Sequence, residues 1–133
     1  MTYLWDTDTC IYHLNGNATI REKVNVLGAK AIATTIVTIA ELKFGAYNSA
    51  KVESNLERIK TLQQKIHVFT EFAEAIATIF AQNKAIMKKQ GLTIGDFDLL
   101  IASFALHYQL IVVTNNTPHF RSVPKLLVEN WIL

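Results

Sequence analysis

The chain has 133 residues, half of them apolar, and thirteen Lys plus Arg against eleven Asp plus Glu leave a formal charge of +2. One domain spanning residues 1–133 is expected, burying roughly two thirds of its unfolded surface, and the charge permits an anionic partner without arguing for one. No apolar run approaches the roughly 18 residues of a membrane span and no export signal opens the chain, so a cytoplasmic protein is expected, in which the lone Cys10 excludes a disulfide or a multi-cysteine zinc site.

Tyr3-Leu4-Trp5 reads as a short strand stopped by Asp6 and Thr7, after which Asp8 or Thr9 can cap a helix that runs to Asn15-Gly16. Asn17 and Thr19 open a second helix ending at Gly28. Ala31 to Thr34 is a second strand, and its threonines lead into a helix that carries Glu41 and stops around Tyr47 to Ser49. Lys51 to Gln64 places Val52, Leu56, Ile59 and Leu62 at helical spacing, and Ile66 to Phe69 reads as the third strand. Thr70 is predicted to cap a long helix over Glu71 to Gln90, with Phe72, Ile76, Ile79 and Phe80 on one face and Gly91 at its end. Ile94 to Tyr108 is the last long helix, Leu110 to Thr114 the most β-branched strand, and Leu126 to Glu129 an edge strand after Pro124.

Strands alternating with helices predict an α/β fold, with three layers and a central, mainly parallel sheet of about four to five strands. Right-handed crossovers then bring strand ends and helix starts to one edge. Asp6, Glu41, Asp98 and Thr114-Asn115-Asn116 all fall there, at the crevice where open α/β sheets bind ligands. Asp6 and Asp8 are also ordinary turn or cap residues, and Asp96 can simply cap its helix. Glu41, with Val37 a turn before and Phe44 and Gly45 a turn after, is read as interrupting an apolar stripe. Asp98 shares its stripe with Ile94, Ile101, Ala102 and Ala105, where a carboxylate is costly unless paired, protonated or bound to metal.

Hard oxygen ligands suit Mg²⁺ or Mn²⁺, and phosphodiester hydrolysis is the natural reaction for such a site. His13, His67, His107 and His119 lack the paired spacing of a zinc helix, and only His119 is expected near the crevice. No nucleophile elbow, Walker loop or dinucleotide fingerprint is present.

At these residues the chain resembles the PIN-domain family, and within it the VapC-like toxins of bacterial toxin–antitoxin pairs. The resemblance runs through Leu4-Trp5-Asp6-Thr7-Asp8-Thr9-Cys10-Ile11, Ile39-Ala40-Glu41-Leu42-Lys43-Phe44-Gly45-Ala46, Asp98-Leu99-Leu100-Ile101-Ala102, Val113-Thr114-Asn115-Asn116 with Phe120, and Val128-Glu129-Asn130-Trp131. It implies a metal-dependent endoribonuclease with Asp6, Glu41 and Asp98 as the acidic metal ligands and Asp8 and Thr114 in supporting polar positions. Asn116 stands where the family often has a fourth acid. The resemblance further implies a structured RNA substrate such as transfer RNA, a cognate antitoxin and a homodimer; the high apolar fraction also argues for a buried patch, for which the Val37 to Tyr47 helix and the Lys51 to Leu62 segment are the candidate surfaces. Lys43, Arg121 and Lys125 are candidate phosphate contacts, each also readable as solvated charge.

Two alternatives stay open. A haloacid-dehalogenase-type phosphatase would use Asp6-Thr7-Asp8 and Gly95-Asp96-Phe97-Asp98, but Cys10 and Leu100 depart from its pattern and Glu41 gains no role. The other is a catalytically silent PIN-like binding module, which Asn116 makes conceivable. A receiver domain fits less well, for want of an acid after Val68-Phe69 and of a lysine after a late strand.

Overall fold

The computed structural model describes residues 1–133. Its strands are β1 (Tyr3–Trp5), β2 (Ile32–Thr35), β3 (His67–Phe69), β4 (Ile111–Val113) and β5 (Val128–Glu129). They form one five-stranded sheet in the order β3-β2-β1-β4-β5, with every pair parallel. The helices are α1 (Thr7–Leu14), α2 (Ala18–Leu27), α3 (Ile36–Tyr47), α4 (Val52–Lys65), α5 (Glu74–Lys89), α6 (Asp96–Tyr108) and α7 (Thr117–Arg121).

Alternate strand residues feed two cores on opposite faces of the sheet, as the period of two requires. Leu4, Ala33 and Val112 pack against Ile76, Met87, Leu99, Phe104 and Phe120 of α5, α6 and α7. Their neighbours Trp5, Ile32 and Val113 pack against Ile20, Ile39, Leu42, Ile59, Leu62 and Trp131. The expected three layers result, with both faces of the sheet covered.

Helix starts follow local chemistry, with some departures from expectation. Asp6 itself caps α1, its Oδ1 accepting from the Thr9 N–H at 2.9 Å, in place of the expected Asp8 or Thr9. The helix therefore begins immediately after the strand, and its first turn overhangs the sheet edge. Asn17 caps α2 as predicted, and Gly28 ends it at φ +84°, a conformation that favours glycine. Thr35 caps α3 through the Thr38 N–H at 3.2 Å. Thr70 caps nothing: α5 begins only at Glu74, after an extended Ala73. That linker carries Phe72 edge-on to Phe104, centroids 6.1 Å apart, instead of onto the helix face. Likewise α6 starts at Asp96 with Gly95 as its cap residue, and Ile94 packs on the core from outside the helix. The short α7 was not expected, since five residues show no periodicity.

Candidate active site

The strand order places the topological switch between β1 and β4, where the chain departs in opposite directions along the sheet. Trp5 pairs with Val113, so the next residues, Asp6 and Thr114, leave the sheet side by side. The Asp6 N–H donates to the Val113 carbonyl at 3.2 Å, and Thr9 Oγ1 donates to that same carbonyl at 2.8 Å. The Asp6 carboxylate is 2% exposed and takes hydrogen bonds from the Thr9 N–H and the Thr114 side chain. Those donors favour the charged form, yet burial outweighs them and pushes its pKa up to about 6, with a further contribution from Asp8.

Glu41 lies half-buried in the middle of α3 and is held from α1: Thr7 Oγ1 donates to Glu41 Oε1 at 2.5 Å and also reaches Thr38 Oγ1 at 3.3 Å. Its expected apolar stripe is only partly there. Val37 packs on the core, but Phe44 is 70% exposed, so Glu41 sits at the border between core and surface. Asp98, half-buried in the first turn of α6, has its pKa raised by burial first, then by the charges of Glu41 and Asp8, against the opposing influence of His119. The four acids, Asp6 at the cap of α1, Asp8 in α1, Glu41 in α3 and Asp98 in α6, thus share one electrostatic environment.

The other anticipated residues divide. Thr114 is buried beside Asp6, and its Oγ1 also accepts from the Asn116 N–H at 2.9 Å. Asn116 Nδ2 lies 2.8 Å from His119 Nδ1. Asp96 neither caps α6 nor joins the cluster; it pairs with Lys84 at 2.9 Å on the outside. Lys43 and Arg121 are exposed. Lys125 lines a cavity with Gln109 and Leu110 at the start of β4, the sheet edge opposite the acids, which removes it from the crevice. Cys10 is fully buried, and burial pushes its thiol up to about 12, which leaves it unreactive. Thr7, Thr38 and the Asn116–His119 pair went unassigned from sequence. Only a helix over Thr117–Arg121 would have shown His119 turned back toward Asn116.

The donor set fits a hard divalent cation. The carboxylates converge with hydroxyl and amide groups, and the chain's one ion pair lies elsewhere, so no Lys or Arg is paired with them. As packed, no three His, Cys, Asp or Glu side chains close around a common ion position. The Glu41 carboxylate is turned to Thr7. Beside Glu41, a groove of about 220 Å³ runs between α1, α3 and α4, with Ile11, Leu14, Leu42, Ala46 and Ile59 on its apolar side and Asn15, Asn55 and Arg58 among its polar lining.

Comparison with known proteins gives a consistent result. The family described as PIN domain matches residues 3–126. The tRNA(fMet)-specific endonuclease VapC of Shigella flexneri is 36% identical over 132 residues, and Ribonuclease VapC2 of Rickettsia felis is 32% identical over 133; each alignment covers 98% of both chains. In the crystal structure of DNA-bound VapBC from Salmonella typhimurium, one chain superposes with a TM-score of 0.93 at 30% identity, covering 98% of each chain.

Proposed function

This chain belongs to the PIN-domain family, among its VapC-like members, and we propose that it is an endoribonuclease toxin that hydrolyses RNA phosphodiester bonds with Mg²⁺ or Mn²⁺. The observation that carries the reading is the set of carboxylates without a Lys or Arg partner, Asp6, Glu41 and Asp98, at the β1/β4 switch point, two of them with raised pKa values. These three residues would hold the cation. When bound, the cation supplies polarisation of a phosphate oxygen and a more acidic water.

The chain's own contribution is positioning. Thr9 and Thr114 fix the Asp6 carboxylate from two sides, and Thr7 fixes Glu41. Asp98 projects from a helix first turn, whose dipole tolerates negative charge. Asp8 adds charge at the rim, and the free Oδ1 of Asn116 stands in for a fourth acid.

The relatives support an RNA substrate, one of them being named for transfer RNA. VapBC assemblies are toxin–antitoxin complexes, which supports an antitoxin as this chain's partner; the reading adds a cytoplasmic location and a homodimer. The groove that ends at Glu41 suits an apolar antitoxin segment, with a basic side chain reaching the acids in competition with the metal. A phosphatase reading leaves Glu41 without a role.

The direct test incubates purified protein with total transfer RNA in Mg²⁺, Mn²⁺ or EDTA, and maps RNA ends after induced expression. Metal-dependent cleavage at defined ends is expected. Turnover of small phosphate esters without RNA cleavage would overturn the reading in favour of a phosphatase, and neither activity would leave a silent binding module.

A further inference from the structure

An RNA phosphate approaching the acidic crevice meets like charge, because no Lys or Arg pairs with the carboxylates there. A bound cation answers part of that repulsion, and hydrogen-bond donors at the rim must answer the rest. The structure offers one such donor that is already oriented. His119 is exposed on α7, and its Nδ1 lies 2.8 Å from Asn116 Nδ2. With the Asn116 amide nitrogen donating, Nδ1 is the acceptor, and a ring in its neutral form then carries its proton on Nε2.

Asn116 is itself fixed. Its N–H donates to Thr114 Oγ1 at 2.9 Å, and the Thr114 side chain holds Asp6. A continuous run of contacts from Asp6 through Thr114 and Asn116 therefore sets the imidazole. Its Nε2–H meets no protein acceptor, although the ring lies near enough to Asp98 to oppose the rise in that residue's pKa. An exposed donor, aligned beside the acids and left free, is arranged for something that is not protein.

We propose that His119, oriented by Asn116, binds an RNA backbone phosphate at the rim of the acidic crevice through its Nε2–H. This assignment rests on the nuclease reading above and adds a substrate contact to it. It makes His119 a substrate-binding residue and Asn116 the residue that positions it.

The test has two arms. Imidazole ¹⁵N shifts of the free protein should show His119 as the Nε2–H tautomer; the Nδ1–H tautomer would overturn the proposal whatever the enzyme does. Binding of fluorescently labelled total transfer RNA, followed by anisotropy in Ca²⁺, should weaken about tenfold in His119→Ala, as expected for loss of a hydrogen bond to a charged group. His119→Gln, which retains an N–H donor, should recover much of that loss. Asn116→Ala should weaken binding less than His119→Ala, because the ring keeps its donor and loses only the contact that orients it. Wild-type affinity in His119→Ala, with wild type binding normally, overturns this proposal alone. Wild-type protein that neither binds nor cleaves transfer RNA overturns the nuclease reading and this assignment together.

Discussion

Thr7 Oγ1 donates to Glu41 Oε1 at 2.5 Å, joining the first turn of α1 to the middle of α3. That single contact decides where one of the proposed metal-binding carboxylates points. Groups that orient a ligand in this way commonly carry ten- to a hundred-fold effects on metal affinity. Thr7→Val should therefore raise the Mg²⁺ concentration for half-maximal RNA cleavage about tenfold, while Thr7→Ser stays near wild type. Equal metal requirements in both variants would show that Glu41 is oriented by something else.

Asp6→Asn, Glu41→Gln and Asp98→Asn should each abolish metal-dependent cleavage without unfolding the protein. Asn at position 6 retains an oxygen for the Thr9 N–H, so the α1 cap survives. Circular dichroism and cleavage assays on the three variants check this. Full activity in any one removes that residue from the site, and loss of folding in all three would favour a structural role for the acids.

The metal-free protein should lose stability as pH rises. The Asp6 pKa lies near 6 in the fold, against 3.8 without its environment. Between those values the native state holds a proton that the unfolded chain has released. Stability is thus fullest below about pH 4 and declines as pH rises through about 6, by on the order of 3 kcal/mol. Asp98, shifted in the same direction, adds to the decline. Urea midpoints of wild type should fall across this range and those of Asp6→Asn should fall less; parallel curves would contradict the buried-carboxylate account.

Asn116→Asp should lower the Mg²⁺ concentration for half-maximal cleavage, because a carboxylate binds a hard cation more strongly than an amide oxygen. An unchanged requirement places Asn116 outside the coordination sphere.

The dimer prediction now centres on α3. Ile36, Phe44 and Tyr47 are exposed there, at 37%, 70% and 67%. In α4, by contrast, Ile59 and Leu62 are already buried in the chain's own core, which withdraws the Lys51 to Leu62 segment as a second surface. Phe44→Glu should shift light scattering from dimer to monomer at micromolar concentration while leaving the thermal midpoint of the subunit fold nearly unchanged. A wild-type monomer under those conditions removes the dimer.

The architecture was legible because strands buried on both faces read as apolar runs: Tyr3-Leu4-Trp5 and Leu110 to Val113 could hardly be anything else. Glu41 and Asp98 stood out as charges set into apolar stripes, whereas Asp6 was marked only by its place at the end of a strand. The start of α5 was not legible, since Thr70 carries a cap residue's chemistry while tertiary packing of Phe72 on Phe104 keeps the next turn extended. The roles of Thr7 and of the Asn116–His119 contact were hidden for another reason, although His119 itself was expected near the crevice. Their significance lies in partners brought close by the fold, at Glu41 from a distant helix and at Asn116 through a helix too short to announce itself.

The position of β1 between β2 and β4 has a consequence for synthesis. Leu4 pairs on one side with Ala33, made early, and on the other with Val112, made near the end. Until β4 has left the ribosome, Asp6 lacks both the Val113 carbonyl and the Thr114 hydroxyl that hold it. A nascent chain therefore carries its acids unassembled for most of translation, and the crevice is completed only after nearly the whole chain has been released to fold.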